Sequence, residues 1–219
     1  MPNAGLNRWL ETYLRKTQMD NKKNGDLYAE SPICCTFAVR ESTMRRIILI
    51  TGGQRSGKST YAEQLALKLS PNPVYVATAH IWDEEFRQRV LIHQERRGPQ
   101  WTNIEEELHL SHHAVEGRVV LVDCLTLWST NFFFLDGKEQ PVQQTVDAVC
   151  AEFDRFVEQD AIFIFVTNEI GLGGTSPNDV QRHFTDVLGW VNQHVAAVAD
   201  KVVLMVSGIP LTIKTNETI

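Results

Sequence analysis

Residues 52–59 contain the clearest chemistry of this sequence: they read G-G-Q-R-S-G-K-S and directly follow an apolar run, IILI. A buried strand, a glycine-rich turn and a helix start, in that order, form a phosphate-binding loop (P-loop). Backbone N–H groups bind phosphate oxygens there, and Gly52 and Gly57 allow conformations that a Cβ would hinder. Lys58 supplies charge to the β- and γ-phosphates, and the Ser59 hydroxyl can ligate Mg²⁺. The sequence therefore predicts a nucleoside triphosphate site.

A second candidate group is Asp123, which ends the apolar run VVLV at residues 119–122. In P-loop proteins a carboxylate at this position holds Mg²⁺, directly or through water, together with the P-loop hydroxyl. An Asp after a strand can also simply cap the next helix. Because a P-loop precedes it, we interpret Asp123 as a magnesium ligand alongside Ser59.

A helix predicted over residues 83–97 places Arg89, His93, Arg96 and Arg97 on one face. A neutral imidazole between guanidiniums can attack phosphorus, because the arginines bind phosphate oxygens and their field keeps the imidazole unprotonated. A lone histidine on a charged helix is more often an ordinary surface residue. The spacing alone leaves both interpretations open.

Strands and helices that could position these groups alternate from residue 46 onward. The predicted strands are 46–51, 74–77, 118–123, 161–167 and 201–207, with shorter ones at 100–104 and 211–214. The predicted helices are 59–69, 83–97, 125–135, 142–159 and 178–199. Most strands are continuous apolar runs, as expected of parallel strands covered on both faces. Right-handed crossovers then predict an α/β fold of the RecA-like P-loop NTPase type, a single doubly wound, mostly parallel sheet with helices on both faces.

Composition limits the protein classes. The chain has 219 residues, 43% hydrophobic content and a net charge of −6, which argues against a general nucleic-acid binder. No apolar run approaches the roughly 20 residues of a membrane helix, and no secretory signal is visible. Residues 1–45 are predicted to be an N-terminal extension, poorly structured or with a short amphipathic helix, before a catalytic domain at 46–219. We expect a cytoplasmic protein that does not bind nucleic acid and does not insert stably into a membrane.

A series of short segments resembles the bifunctional adenosylcobinamide kinase/adenosylcobinamide-phosphate guanylyltransferases. The series runs in order from about residue 46 to residue 214 and leaves out residues 1–45. Its segments are ITGGxRSGKS at 50–59, YVATA at 75–79, RVxxH at 89–93, Trp101, DCLT at 123–126, VTNEIG at 166–171, RxFxDxxG at 182–189, VNQ at 191–193 and VSG at 206–208. So many segments in one order make the resemblance specific.

This resemblance implies two reactions. ATP or GTP phosphorylates the aminopropanol hydroxyl of adenosylcobinamide, and GTP then gives its GMP group to that phosphate and releases pyrophosphate. In this family the second step passes through a guanylylated histidine, which corresponds to His93. Lys58 and His93 are therefore the predicted catalytic residues, Mg²⁺ is the predicted cofactor, and a homotrimer is the implied assembly. The alternatives are a P-loop kinase without guanylyl transfer and a nucleotide-dependent binding switch.

The resemblance also implies the nucleotide contacts. They are Gly52, Gly53, Gln54, Arg55, Ser56, Gly57, Lys58, Ser59, Ala77, Thr78, Ala79, Gln94, Glu95, Arg96, Arg97, Glu105 and Asp123. Glu105 is the first of three successive glutamates, and a carboxylate there would accept from the N1 and N2 hydrogens of guanine. ATP lacks that pair of donors.

Two further polar groups keep two interpretations each. Residues 167–169 (TNE) end an apolar strand. In one interpretation they act beside the nucleotide, by sensing the γ-phosphate or accepting the proton of the acceptor hydroxyl; in the other they form a turn that caps the strand. Arg182, Asp186 and Asn192 lie on one predicted helix. A surface ion pair is the expected role of that group, and subunit contact or substrate orientation is the alternative.

Overall fold

The structure is a computed structural model and describes residues 44–80 and 97–216. The strands in these ranges are β1 (Arg46–Gly52), β2 (Val74–Ala77), β3 (Thr102–Glu105), β4 (Val119–Asp123), β5 (Ile162–Val166), β6 (Lys201–Val206) and β7 (Ile209–Thr215). The α-helices are α1 (Lys58–Leu69), α2 (Leu125–Phe133), α3 (Val142–Phe156) and α4 (Asp179–Val198). Short 3-10 turns occupy Leu110–His112, Leu135–Gly137 and Ile170–Gly173. None of these helices combines the length and apolarity that a membrane crossing requires.

All seven strands belong to one sheet, in the order β3-β2-β4-β5-β1-β6-β7. Every pairing is parallel except that of β6 with β7, which is antiparallel. Strand β1, which leads into the P-loop, is an interior strand, and β5 separates it from β4. The predicted α/β fold of a RecA-like P-loop NTPase, with one doubly wound and mostly parallel sheet, is confirmed.

Strand β1 shows why the apolar runs are continuous. Ile48 and Ile50 pack on one face of the sheet, where Ala62 of α1 also lies, whereas Ile47 and Leu49 pack into the cluster on the opposite face. All four strand residues are at most 3% exposed. Burial of each such side chain stabilises the fold by about 1.5–3 kcal/mol. Helices on both faces therefore require apolar residues at successive strand positions.

The strand register aligns residues that are far apart in sequence. Glu105 of β3 is paired with Ala77 of β2, Ala77 with Asp123 of β4, and Asp123 with Val166 of β5. These residues form one row at the edge where the parallel strands end, which we call the carboxyl edge. Neighbouring strands are about 4.8 Å apart, so Glu105 and Asp123 stand roughly 10 Å from each other.

Several element ends differ from the prediction. Helix α3 stops at Phe156 rather than Gln159, because the Gln159 side chain accepts from the Val115 N–H at 2.7 Å and donates to the His113 carbonyl at 3.1 Å. Helix α2 likewise stops at Phe133, before a separate 3-10 turn. At the end of α3, contacts with a distant segment therefore take the place of a further helical turn.

The last two strands form a hairpin that the sequence analysis did not predict. Ser207 and Gly208 both have positive φ, 51° and 83°, as in the two-residue turns that join antiparallel strands. The turn allows β7 to begin at Ile209, two residues before its predicted start. Strand β3 instead begins two residues after its predicted start, at Thr102–Glu105 rather than 100–104.

Two predictions concern residues that the structure does not describe. The N-terminal extension at 1–45 lies outside the described residues except for Met44 and Arg45, so the predicted domain boundary stays a prediction. The predicted helix over 83–97 lies outside them except for its last residue. Arg97 is described, and it lies in a bend rather than a helix.

Candidate active site

The P-loop follows β1 and turns through backbone conformations that only certain residues tolerate. Gly52 has φ +146°, and a Cβ on it would stand 2.4 Å from the Met205 carbonyl oxygen. Gly57 has φ +94° and begins helix α1 without a capping side chain. The first N–H groups of a helix lack partners within it. Because Gly57 supplies no oxygen to them, these donors can bind a phosphate.

Lys58 points back into this loop. The residue is 8% exposed. Its Nζ donates to the Gly53 carbonyl oxygen at 2.6 Å and reaches Ser56 Oγ at 3.5 Å. Burial lowers the pKa of Lys58, while the nearby Asp123 carboxylate acts in the opposite direction. A phosphate oxygen in the loop can replace the Gly53 carbonyl as the acceptor, which would keep the ammonium group paired.

Neighbouring strands fix the loop from the sides. The Glu169 N–H, just after β5, donates to the Gly52 carbonyl at 3.2 Å. The Gly208 N–H, in the β6–β7 turn, donates to the Ser56 carbonyl at 3.0 Å. Backbone contacts from both neighbours of β1 therefore hold the phosphate-binding loop in its shape.

Asp123 is oriented by a residue of the adjacent strand. The Tyr75 hydroxyl donates to Asp123 Oδ2 at 3.1 Å. Burial, reinforced by the Asp123 charge, raises the pKa of Tyr75, so the phenol stays protonated and remains a donor. The Arg97 guanidinium carbon lies 3.6 Å from the centre of the Tyr75 ring, and Arg97 Nε donates to Asn103 Oδ1 at 3.0 Å. Arg97 is thus connected to Asp123 through Tyr75, for which the sequence analysis gave no role.

The two predicted metal ligands are of the type that Mg²⁺ prefers. Asp123 offers a carboxylate with one oxygen already oriented, and Ser59 offers a hydroxyl in the first turn of α1. Mg²⁺ commonly binds one or two carboxylates plus substrate phosphates and waters. Across residues 44–80 and 97–216, no three His, Cys, Asp or Glu side chains gather into a metal cluster. The donor set fits a cation that arrives with the nucleotide.

Residues 77–79 begin with Ala77 at the carboxyl edge, where β2 ends, and continue beyond it. Ala77 and Ala79 are partly exposed, whereas Thr78 is fully buried. The Thr78 hydroxyl donates to the Cys124 carbonyl at 2.9 Å and accepts from the Cys124 N–H at 3.0 Å. The Thr78 carbonyl accepts from Asn131 Nδ2 at 2.7 Å. The Thr78 side chain is therefore engaged within the protein, which limits its predicted nucleotide contact to the backbone N–H.

The three successive glutamates have different surroundings. Glu106 accepts from the N–H groups of Leu108 and His109, both at 2.9 Å. Burial alone would raise the pKa of Glu106, but these hydrogen bonds outweigh it and lower the pKa. Glu107 contacts His80 at 2.8 Å. Glu105 is exposed at the end of β3, in the row that contains Asp123. Of the three, Glu105 is the one that the strand register brings to the carboxyl edge.

A polar network after β5 was only partly predicted. Thr51 Oγ1 donates to Glu169 Oε1 at 2.7 Å, and Thr167 Oγ1 donates to Asn192 Oδ1 at 2.7 Å. Asn192 Nδ2 in turn donates to the Asn168 carbonyl at 3.0 Å. Thr51 belongs to the segment ITGGxRSGKS, but the sequence analysis assigned it no role, because it reads as the last residue of an apolar strand.

The helix group of Arg182, Asp186 and Asn192 does not act together. Arg182 forms an ion pair with Asp179 and donates to the Ser176 carbonyl at 2.9 Å. The ion pair therefore lies at the start of α4, and among the described residues the acidic partner of Arg182 is Asp179 rather than Asp186. Asn192 is 7% exposed and belongs to the buried network instead. Its position among the apolar residues of α4 is the signal that could have predicted this burial.

The remaining predicted site residues lie outside the described part of the chain. They are the catalytic candidate His93 and the nucleotide contacts Gln94, Glu95 and Arg96.

Comparison with known proteins gives one family. The model of the CobU family, described as cobinamide kinase / cobinamide phosphate guanyltransferase, matches residues 48–213. The bifunctional adenosylcobalamin biosynthesis protein CobU of Escherichia coli K12 is 38% identical over 181 residues, which cover 77% of this chain and 99% of that protein. The bifunctional adenosylcobalamin biosynthesis protein CobP of Pseudomonas aeruginosa PAO1 is 36% identical over 176 residues, covering 76% and 96%.

Among solved structures, the flagellar accessory protein FlaH of Methanocaldococcus jannaschii is similar, with a TM-score of 0.43 and 18% identity over 78% of this chain and 79% of that one. The family model matches most of the chain, and the two relatives above are 36% and 38% identical to it. These matches show the family to which the chain belongs. The resemblance found in the sequence is thereby confirmed: this chain belongs to the cobinamide kinase / cobinamide phosphate guanyltransferase family.

Proposed function

We propose that this chain phosphorylates the aminopropanol hydroxyl of adenosylcobinamide with ATP or GTP, and then transfers GMP from GTP to the resulting phosphate. The products are adenosylcobinamide-GDP and pyrophosphate, in cobalamin biosynthesis or salvage. One observation carries the proposal: a chain that matches the family over residues 48–213 has a formed P-loop with Lys58 inside it. Relatives named as bifunctional are matched over 96–99% of their length, so both activities are expected together.

In the kinase step the P-loop holds the β- and γ-phosphates. Backbone N–H groups of the loop and the Lys58 ammonium bind their oxygens and stabilise negative charge as the γ-phosphoryl group moves. Ser59 and Asp123 would hold Mg²⁺, which when bound neutralises charge on the same oxygens. Tyr75 keeps the Asp123 carboxylate directed, through its 3.1 Å hydrogen bond.

In the transfer step the nucleophile is His93, which attacks the α-phosphorus of GTP. A phosphorus–nitrogen bond forms, the bond to the bridging oxygen breaks, and pyrophosphate leaves with that oxygen. The phosphate of the acceptor then displaces the histidine. Glu105 is proposed to accept from N1 and N2 of guanine. Its place in the same row as Asp123, roughly 10 Å away, suits a nucleoside that spans the edge between β4 and β3.

The test is incubation with α-labelled GTP and Mg²⁺, followed by adenosylcobinamide and ATP. We expect acid-labile, alkali-stable label on the protein and separate formation of adenosylcobinamide phosphate. Phosphorylation without protein label would indicate a kinase that lacks transfer. Slow nucleotide hydrolysis with neither product would indicate a nucleotide-dependent switch.

We also propose that the protein assembles as a homotrimer in the cytoplasm. Strand β7 supports self-association, because it lies at the end of the sheet and its alternate residues Ile209, Leu211 and Ile213 are 55–68% exposed. Such an exposed apolar strip on an edge strand is typical of an interaction site. Light scattering coupled to gel filtration gives the mass, and a monomer would refute the trimer. Fractionation of cells tests the location.

A further inference from the structure

We propose that Glu169 is the base that accepts the proton of the acceptor hydroxyl in the kinase step, held in position by Thr51 and Asn192. This inference rests on the proposed kinase function and extends it by assigning the proton acceptor. In phosphoryl transfer to an alcohol, a carboxylate that takes the hydroxyl proton is a common element of the site.

The position of Glu169 in the sheet supports this role. The residue follows β5, which lies between β1, the P-loop strand, and β4, the strand that ends in Asp123. Its N–H donates to the Gly52 carbonyl at 3.2 Å, so its backbone stands beside the first glycine of the P-loop. Lys58 and Asp123 are the groups predicted to bind the γ-phosphate and its cation. A carboxylate at the end of the strand between β1 and β4 is therefore close to the proposed position of the γ-phosphoryl group.

The carboxylate is oriented through one of its two oxygens. Oε1 accepts from Thr51 Oγ1 at 2.7 Å and from Asn192 Nδ2 at 3.4 Å. Asn192 is itself fixed, because its Oδ1 accepts from the Thr167 hydroxyl at 2.7 Å. Within residues 44–80 and 97–216, no protein group hydrogen-bonds to Oε2. The Glu169 side chain is half-buried. One oxygen is thus held and the other is available to a substrate hydroxyl.

Neighbouring polar groups at this edge are less suited to the task. The Asn168 amide is not a base, and it donates to Thr126 Oγ1 at 3.1 Å. Asp123 already accepts from Tyr75 and is the proposed cation ligand. Glu105 is on β3, four strands away from β1 in the sheet. Among Asp123, Glu105 and Glu169, Glu169 is the residue whose backbone N–H donates to a P-loop carbonyl.

The step balances without a further reactant. As the acceptor oxygen bonds to the γ-phosphorus, its proton passes to Glu169 Oε2, and the γ-phosphorus separates from the bridging oxygen of the nucleoside diphosphate. The proton then leaves Glu169 for solvent. The transfer step needs no such base, because its attacking groups are a neutral imidazole and a phosphate anion. The two activities should therefore respond differently to loss of the carboxylate.

The test is Glu169→Gln, which keeps the shape and the Oε1 acceptor but removes the base. We expect kcat for adenosylcobinamide phosphorylation to fall about 100-fold or more. The rate of protein labelling by α-labelled GTP should be unchanged. Thr51→Val, which removes the donor to Oε1, should lower the kinase kcat by less and also spare labelling. Glu116→Gln, at an exposed site just before β4 and so at the opposite edge of the sheet, is the matched control.

Three outcomes would overturn the assignment or its basis. An unchanged kinase kcat in Glu169→Gln means that another group takes the proton. An equal fall of both activities means a structural role at the P-loop, which thermal unfolding of each variant would also detect. If Glu169→Gln does not fold, Glu169→Asp is the second variant, because it keeps a carboxylate on a shorter side chain. A larger loss of GTP labelling than of kinase activity in Glu169→Asp would refute the assignment of Glu169 as the base. A wild-type protein that forms no adenosylcobinamide phosphate refutes the proposed function itself, whatever the variants do.

Discussion

The Tyr75 hydroxyl donates to Asp123 Oδ2 across the β2–β4 boundary at 3.1 Å. Ala77 is the register partner of Asp123, and Tyr75 precedes Ala77 by two residues, so Tyr75 and Ala77 point to the same face of the sheet. The Arg97 guanidinium covers the phenol ring at 3.6 Å. The carboxylate proposed to hold the cation is therefore oriented by a buried tyrosine rather than by the P-loop.

Tyr75→Phe should weaken the response to Mg²⁺ while leaving the ring and its contact with Arg97 in place. Partners that orient a metal ligand typically change metal affinity by about 10-fold to 100-fold. We expect the Mg²⁺ concentration for half-maximal kinase activity to rise by at least about tenfold on this basis. Binding of Mn²⁺ with GTP, followed by electron paramagnetic resonance, measures the same change without turnover. An unchanged Mn²⁺ affinity would contradict the orienting role.

Lys58→Ala should impair both reactions, because one P-loop is proposed to hold the triphosphate in each of them. Removal of one preorganised donor typically costs about 100-fold to 1,000-fold in kcat. Phosphorylation and GTP labelling are to be measured side by side. Lys68→Ala is the matched control, since Lys68 is exposed in the last turn of the same helix. Retained kinase turnover in Lys58→Ala would contradict a shared phosphate site.

Much of the fold was predictable because both faces of the sheet are covered. The apolar runs at β1, β4 and β5 could only be buried strands, and their order along the chain fixed a parallel sheet. The hairpin turn depends on the positive φ angles of Ser207 and Gly208. The pattern of apolar residues carries no information about these angles, so the turn was not predicted. Helix ends were predicted less well, since they depend on contacts between distant segments such as that of Gln159 with Val115.

The site was predictable where residue type and local order determine the chemistry. Gly52 and Lys58 belong to one continuous motif, and Asp123 ends a strand, so their roles follow from the sequence. Thr51 and Asn192 could not be assigned in this way, because their partners are 118 and 25 residues away in the chain. Tertiary packing alone brings such groups together.

Gly52→Ala should destabilise the fold, whereas Gly53→Ala should not. Gly52 has φ +146°, and a Cβ there would stand 2.4 Å from the Met205 carbonyl oxygen. Strain of this kind costs about 1–3 kcal/mol. A Cβ on Gly53 would meet no neighbouring atom within 4 Å, and Gly53 has no positive φ. Thermal or urea unfolding of both variants gives the comparison, and equal stabilities would show that β1 and β6 can move apart at this point.

His93→Ala should abolish protein labelling by α-labelled GTP and leave adenosylcobinamide phosphorylation measurable. The imidazole is proposed to form the bond to the α-phosphorus, which the kinase step does not use. His112→Ala is a suitable control, because His112 is exposed in a 3-10 turn and has no proposed role in either reaction. Normal labelling of His93→Ala would assign the nucleophile to another residue.

Glu152→Gln should lower stability at neutral pH and lose this effect in acid. Glu152 is 2% exposed and accepts from the Ser111 N–H at 2.8 Å and from Arg155 Nη2 at 2.5 Å. Burial alone would raise the pKa of Glu152, but these hydrogen bonds outweigh it and lower the pKa from 4.5. A lowered folded-state pKa stabilises the protein above about pH 4.5, and the contribution disappears as pH falls through the folded-state value.

We therefore expect the free energy of unfolding of Glu152→Gln to be lower than that of the wild type by about 1 kcal/mol at pH 7, since hydrogen bonds to charged groups are the stronger ones. Urea unfolding between pH 3 and pH 7 should show the difference narrowing in acid. Glu158→Gln, at an exposed site just after the same helix, provides the matched control. A difference that stays constant with pH would mean that packing of the side chain, rather than its charge, stabilises the contact between α3 and the turn at Leu110–His112.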